Sequence, residues 1–221
     1  MPAIRDTVLD HLVSADIIES IGGLKKAATI IRNSLPLSKI SRSGDFGEIM
    51  ATEFVEQATE YSVPVRRLRY KDDRSVAMRG DDVLGFQFDQ VPPKVLKTES
   101  KSRANLTNAV VKEASDGLCR HQGRPNPSTL SFISRRLREV DQHDLAELIE
   151  ELQESDIPLA SISHLIFTLS GNDPANVLVS EAKSPIKAIS RQLAGCLIPD
   201  HASFIAQVFD TLIGGSADGN G

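Results

Sequence analysis

The chain has 221 residues, 40% of them hydrophobic and 25% charged, and a net charge of −5. That is enough chain for one well-buried domain, and it excludes a disordered, fibrous or disulfide-stapled protein. Two cysteines, no apolar run of membrane-spanning length and no basic n-region or unbroken h-region in MPAIRDTVLDHL lead us to expect a cytoplasmic protein with no export signal, whose cysteines are small buried hydrophobes.

Leu24, Ala27, Ala28 and Ile31 recur at helical spacing and predict a helix over residues 21–35, stopped by Pro36. We expect residues 1–42 to form an N-terminal helical segment ahead of a main domain at 43–213, with a disordered tail at 214–221. After the polar connector SKISRSGD, Asp45 is positioned to cap a second helix running to about residue 61, with Ile49 and Val55 inward and Glu53, Glu56 and Glu60 outward. Glu48 then falls in its first turn, where the helix dipole favours an acid.

Three strand-like runs follow at 63–70, 82–88 and 94–101, separated by turn-rich segments, and they predict an antiparallel meander. Alternation places Asp82, Leu84, Phe86 and Phe88 on one face of the second strand, and Val95, Lys97, Glu99 and Lys101 on one face of the third. Facing residues of adjacent strands lie about 5 Å apart, so pairing brings Asp82 near Glu99. Helical spacing returns at 106–118, 128–140 and 141–154. Residues 164–170 and 176–180 read as strands around Gly171-Asn172-Asp173-Pro174, and 186–197 and 202–213 as helices. The fold class expected is α/β, a mixed sheet with an antiparallel meander flanked by helices.

Charge is unevenly distributed. Residues 62–138 hold 16 Lys and Arg against 8 Asp and Glu, whereas 139–156 hold 8 acids and no Lys or Arg. The acids of the meander therefore sit in the basic part of the chain, where a polyanion is attracted. Arg67, Arg69, Arg79, Lys97 and Arg103 are the candidate contacts to nucleic-acid phosphates; on a single alternating strand the basic side chains of 63–70 cannot all face one way, so a solvated edge is the competing reading. The acidic stretch reads as a solvated helix face, or as a surface that docks a partner or blocks DNA. The five histidines show no ligand spacing.

Phosphodiester hydrolysis brings an anionic nucleophile to an anionic phosphate, and divalent metals ease that approach by acidifying bound water and offsetting the developing charge. Mg²⁺ takes hard oxygen ligands from few carboxylates. Asp82 and Glu99 suit that role, with Glu48 completing the metal shell through water. Lys101 is placed to orient the attacking water, to take its proton, or to stabilise the transition state. A helix glutamate, a strand aspartate and Glu-x-Lys on the next strand resemble the PD-(D/E)xK nuclease superfamily, with its restriction-endonuclease-like core. Glu-x-Lys alone is ambiguous, because Glu181-Ala182-Lys183 repeats it with Asp173 upstream. The second copy lacks the preceding glutamate helix and the basic surroundings.

Read together, SGDFGEIMATEFV, RLRYKDDRSVAMRGDDVLGF and VLKTESKSRANLTNAVVKEASDGL are similar to the HamA family, the nuclease subunits of the Hachiman antiphage system, and to the related anti-bacteriophage protein A family. The similarity covers residues 43–137. It implies a Mg²⁺-dependent (or Mn²⁺-dependent) DNase that acts with a superfamily 2 helicase of the HamB type and is released on nucleic acid when phage or genome damage is sensed. By motif position it implies Asp82 and Glu99 as metal ligands, Lys101 as the catalytic lysine and Glu48 as the helix acid, with Asp81 the alternative to Asp82. The competing expectations are a non-catalytic subunit that binds DNA or the helicase, and an enzyme acting on RNA or nucleotides.

Overall fold

The computed structural model describes residues 2–14, 24–71, 73–74, 78–183 and 189–214. Its centre is one four-stranded sheet of β1 (Val83–Gln87), β2 (Lys94–Arg103), β3 (Ile162–Ser170) and β4 (Ser190–Leu197), in that spatial order. β1 and β2 are antiparallel, while β2/β3 and β3/β4 are parallel. The helices are α1 (Pro2–Leu12), α2 (Leu24–Ser34), α3 (Lys39–Ala58), α4 (Asn108–Leu118), α5 (Pro127–Glu139), α6 (His143–Glu154), α7 (Ala175–Ala182) and α8 (His201–Gly214). The protein is therefore a mixed α/β fold with helices on both faces of its sheet.

The two faces of β2 meet different cores. Leu96, with Leu165, Phe167 and Leu169 of β3, packs on Phe46, Ile49 and Val55 of α3 and on Phe209 of α8, and α1 contributes Val8 and Leu12 to the same cluster. On the opposite face Leu84, Phe86 and Val95 meet Leu130, Ile133 and Leu137 of α5 and Ile149 of α6. Further along that face Ile166 packs on Val111, Ala114 and Leu118 of α4. Apolar side chains alternating on strands and spaced by threes and fours on helices produce these two layers.

Four expectations are corrected. Residues 63–70 form no strand: Ser62 bridges Phe86, and Arg67–Tyr70 is a 3₁₀ turn, so the meander has two strands rather than three. Pro64 has no N–H to give to a ladder. The second helix begins at Lys39, capped by Ser38, whose Oγ accepts from the Ser41 N–H at 3.0 Å. Asp45 is thus a buried residue within α3, and Glu48 lies mid-helix instead of in the first turn. The segments read as strand 176–180 and helix 186–197 are exchanged: Ala175–Ala182 is helical, with Asp173 Oδ1 accepting from the Ala175 N–H at 2.9 Å, and Ser190–Leu197 is the edge strand β4. The start of that expected helix, 186–188, and the tail residues 215–221 lie outside the described residues. Finally, Cys119 is exposed and Cys196 half-buried, both as free thiols.

Candidate active site

Strand β2 carries the site, and its neighbours aim the side chains. In the β1/β2 register Val83 faces Thr98, so the next position outward sets Asp82 opposite Glu99. Asp82 Oδ2 accepts the Ser100 N–H at 2.8 Å, which fixes its carboxylate across the strand end. Glu99 and Lys101 share a face two residues apart, and Lys101 Nζ lies 3.0 Å from Glu99 Oε1. It also lies 3.0 Å from Glu113 Oε1 of α4.

Two glycines let helices close on this strand. A Cβ on Gly47 would stand 2.8 Å from Ser102 Cβ, so its absence seats α3 against β2 and delivers the adjacent Glu48. A Cβ on Gly117 would stand 3.0 Å from Cδ and both carboxylate oxygens of Glu99, so α4 covers Glu99 only because that position is bare. Sequence reasoning missed both. Their signal was a glycine inside an otherwise helical pattern, which costs about 1 kcal/mol against alanine unless close packing requires it.

Glu48, Asp82, Glu99 and Lys101 line one cavity of about 300 Å³, together with Asp45, Arg67, Lys71 and Arg103. Asp45 is paired by Lys71 Nζ at 2.8 Å. Arg67 Nε stands 2.9 Å from Glu48 Oε1, an ion pair in which the N–H is not aimed along the contact, and neither atom has a hydrogen-bond partner. Asp81 faces away: its carboxylate accepts the Asn126 N–H at 2.6 Å and lies 3.4 Å from Lys97 Nζ, while its own N–H donates to Thr129 Oγ1 at 3.1 Å. Of the Asp81-Asp82 pair, Asp82 is thus the residue whose carboxylate joins Glu99 across the strand end.

The five expected phosphate contacts divide. Lys97 is only 1% exposed, with Nζ donating to the carbonyls of Leu118, Arg120 and Arg124, so it anchors the turn after α4 and presents no charge at the surface. Its face of β2 is covered by helices, which strand alternation alone does not reveal. Arg69 is bound to Asp10 through the carbonyl at 2.6 Å and the carboxylate at 2.7 Å. Arg67 is turned inward to Glu48, and only Arg79 and Arg103 of the five remain exposed.

Burial dominates the electrostatics of the cavity. It pushes the Glu48 carboxyl up to about 8, against the pull of Arg67 and helped by Asp82 and Asp45. Burial, then the Asp82 charge, pushes Glu99 up to about 7, and burial raises Asp82 despite the Ser100 N–H bond. Burial by itself would lower the Lys101 ammonium, but Glu99 and Glu113 outweigh it and hold the group above the ordinary lysine value. Acids that resist ionisation together are acids short of a counter-charge, and an added cation is the direct remedy. Among the described residues, no three His, Cys, Asp or Glu side chains form a ready-made metal cage. The donor set is instead a pair of carboxylates, Asp82 and Glu99, beside Ser100 Oγ, which has no hydrogen-bond partner, and Glu48 Oε1, which has only its ion pair with Arg67. Two hard oxygen donors with room for water and phosphate fit Mg²⁺ or Mn²⁺.

A mixed sheet with acids and a lysine gathered at one strand end defines an α/β protein with a charged cavity beside its central strand. The chain belongs to the HamA family, whose sequence profile matches residues 3–212. It is 32% identical over 177 residues to the Hachiman protein HamA of Bacillus cereus, an alignment covering 79% of this chain and 62% of that protein. The chain thus spans less than two thirds of the length of the curated relative that it matches. Among the described residues no helix is long and apolar enough to cross a membrane.

Proposed function

We propose that this protein is the nuclease component of a Hachiman antiphage defence system, a metal-dependent DNase with a PD-(D/E)xK-type core that acts with a helicase partner. The observation that carries this reading is the convergence of Asp82, Glu99 and Lys101 on one cavity, with Lys101 Nζ 3.0 Å from Glu99. Asp82 and Glu99 would hold Mg²⁺ or Mn²⁺, which when bound acidifies water and offsets charge on the phosphate.

The chain's own groups supply the rest. Lys101 stays protonated between its two carboxylates, so it serves as a cation and hydrogen-bond donor to phosphate oxygens and not as a proton acceptor. Glu48, buried behind Asp82 and held protonated up to about 8, gives the cavity a further acid that a bound cation would ionise. Arg103, exposed on the rim, and Arg79, exposed on the segment leading to Asp82, are positioned to meet the DNA backbone.

The test is to incubate the purified chain, with and without a co-expressed helicase, with circular and linear DNA in Mg²⁺ or EDTA. Cleavage is expected in Mg²⁺ alone. Cleavage that persists in EDTA or in Lys101→Ala overturns the mechanism, and phage protection that survives Glu99→Ala and Lys101→Ala identifies a binding subunit instead.

A further inference from the structure

Arg67 stands in surroundings unlike those of a DNA contact. Its side chain is 10% exposed and its guanidinium makes three separate engagements: Nε against Glu48 Oε1, Nη2 donating to the Met78 carbonyl at 3.0 Å, and Nη1 donating to the Asp81 carbonyl. The last two acceptors belong to the segment that leads directly into Asp82. That segment turns at Gly80, whose φ of 109° suits glycine, and a Cβ there would collide with Thr129 Oγ1. Thr129 and Asn126 hold Asp81 from the side of α5, while Arg67 holds its carbonyl from the side of α3.

We infer that Arg67 is a positioning residue of the active site: its planar guanidinium ties the segment before Asp82 to Glu48 of α3, and so fixes where the Asp82 carboxylate meets Glu99. The inference rests on the proposed nuclease reading for its catalytic consequence, but the clamp itself does not. The geometry demands arginine. One nitrogen faces a carboxylate and two others donate to carbonyls at positions 78 and 81, a fork that a single ammonium cannot reproduce. Charge alone is therefore insufficient, and this separates the clamp from a phosphate contact, where lysine is a workable replacement.

Arg67→Lys is the informative variant, since Arg67→Ala also strips the counter-charge from Glu48 and can fail to fold. Three readouts are taken on Arg67→Lys and wild type: hydrogen exchange of the Asp81 and Ser100 amides by NMR, DNA binding in EDTA by fluorescence anisotropy across a salt series, and cleavage kinetics in Mg²⁺. The Ser100 N–H is bonded to Asp82 Oδ2, so its protection reports the aim of that carboxylate. We expect exchange at both amides to quicken at least tenfold, the maximal cleavage rate to fall at least tenfold, and half-saturating DNA, DNA Kd and salt slope to stay within twofold of wild type. Unchanged exchange overturns the clamp whatever the cleavage result. A raised Kd with a salt slope lower by about one and an unchanged maximal rate makes Arg67 a phosphate contact instead. Should Lys101→Ala cleave as well as wild type, the nuclease reading falls, and the exchange arm still judges the clamp.

Discussion

The tripeptides Glu99-Ser100-Lys101 and Glu181-Ala182-Lys183 have almost the same composition and opposite fates. The first lies on an interior strand, where a period of two points both charged groups to one side and Lys101 bonds Glu99 at 3.0 Å. The second ends α7, where residues two apart on a helix point to different sides. Glu181 there turns to Arg191 of β4, at 2.7 Å, and lies away from the acid cavity. A spacing becomes a site only through the backbone that carries it.

The sharpest way to break this contrast is to exchange the losses. Glu99→Ala or Lys101→Ala is expected to lower the initial rate of plasmid cleavage by about 10²- to 10⁴-fold, the range for removing an acid–base or charge-stabilising group. Lys183→Ala should leave that rate within about twofold. Glu181→Gln should behave as a stability variant: it weakens a nearly buried ion pair, costs roughly 2 kcal/mol in urea denaturation, and spares cleavage at permissive temperature. A Glu181→Gln protein that folds normally but no longer cuts would show that the helix copy has been misread.

A second contrast is protonation. Glu99 is raised to about 7, so below that pH its carboxyl carries a proton that a divalent ion must displace. Apparent Mn²⁺ affinity, measured by calorimetry, is expected to fall at least about tenfold per pH unit below 7, because Glu99 takes up a proton there while Glu48 already holds one, and to level off above about 8, where both have ionised. A flat profile between pH 6 and 8 removes Glu99 from the ligand set. Gly117→Ala should weaken Mn²⁺ binding by roughly tenfold, since the added methyl collides with the Glu99 carboxylate and either the helix or the acid must give way. A smaller effect is expected of Glu113→Gln. It removes one of two acids on Lys101, is itself largely exposed, and should change the cleavage rate by no more than about threefold.

The gathering of Asp82, Glu99 and Lys101 was legible because strand alternation and register are short-range rules: it needed two neighbouring strands and no distant information. The helices 108–118, 127–139 and 143–154 were legible for the same reason, from one apolar stripe each. What failed depended on partners far along the chain. Lys97 looks like any strand lysine until the turn at 118–124 folds over it, and Arg67 and Arg69 look like surface cations until α3 and α1 supply Glu48 and Asp10. The exchange of strand and helix at 175–197 has a local cause. Val177 and Val179 favour strand by type, yet Asp173 and Pro174 start a helix there.

The position of β2 has one more consequence, in the order of synthesis. Its partner β1 precedes it, so the hairpin that brings Asp82 to Glu99 is complete once residue 103 has been made. The parallel partner β3 begins only at Ile162, after α4, α5 and α6. A chain still on the ribosome and short of that point carries β2 with one edge unpaired, and closing so long a loop is slow. The residues that line the cavity all lie between 40 and 103, so a nascent chain holds the whole acid set before the strand that supports β2 from its far edge exists.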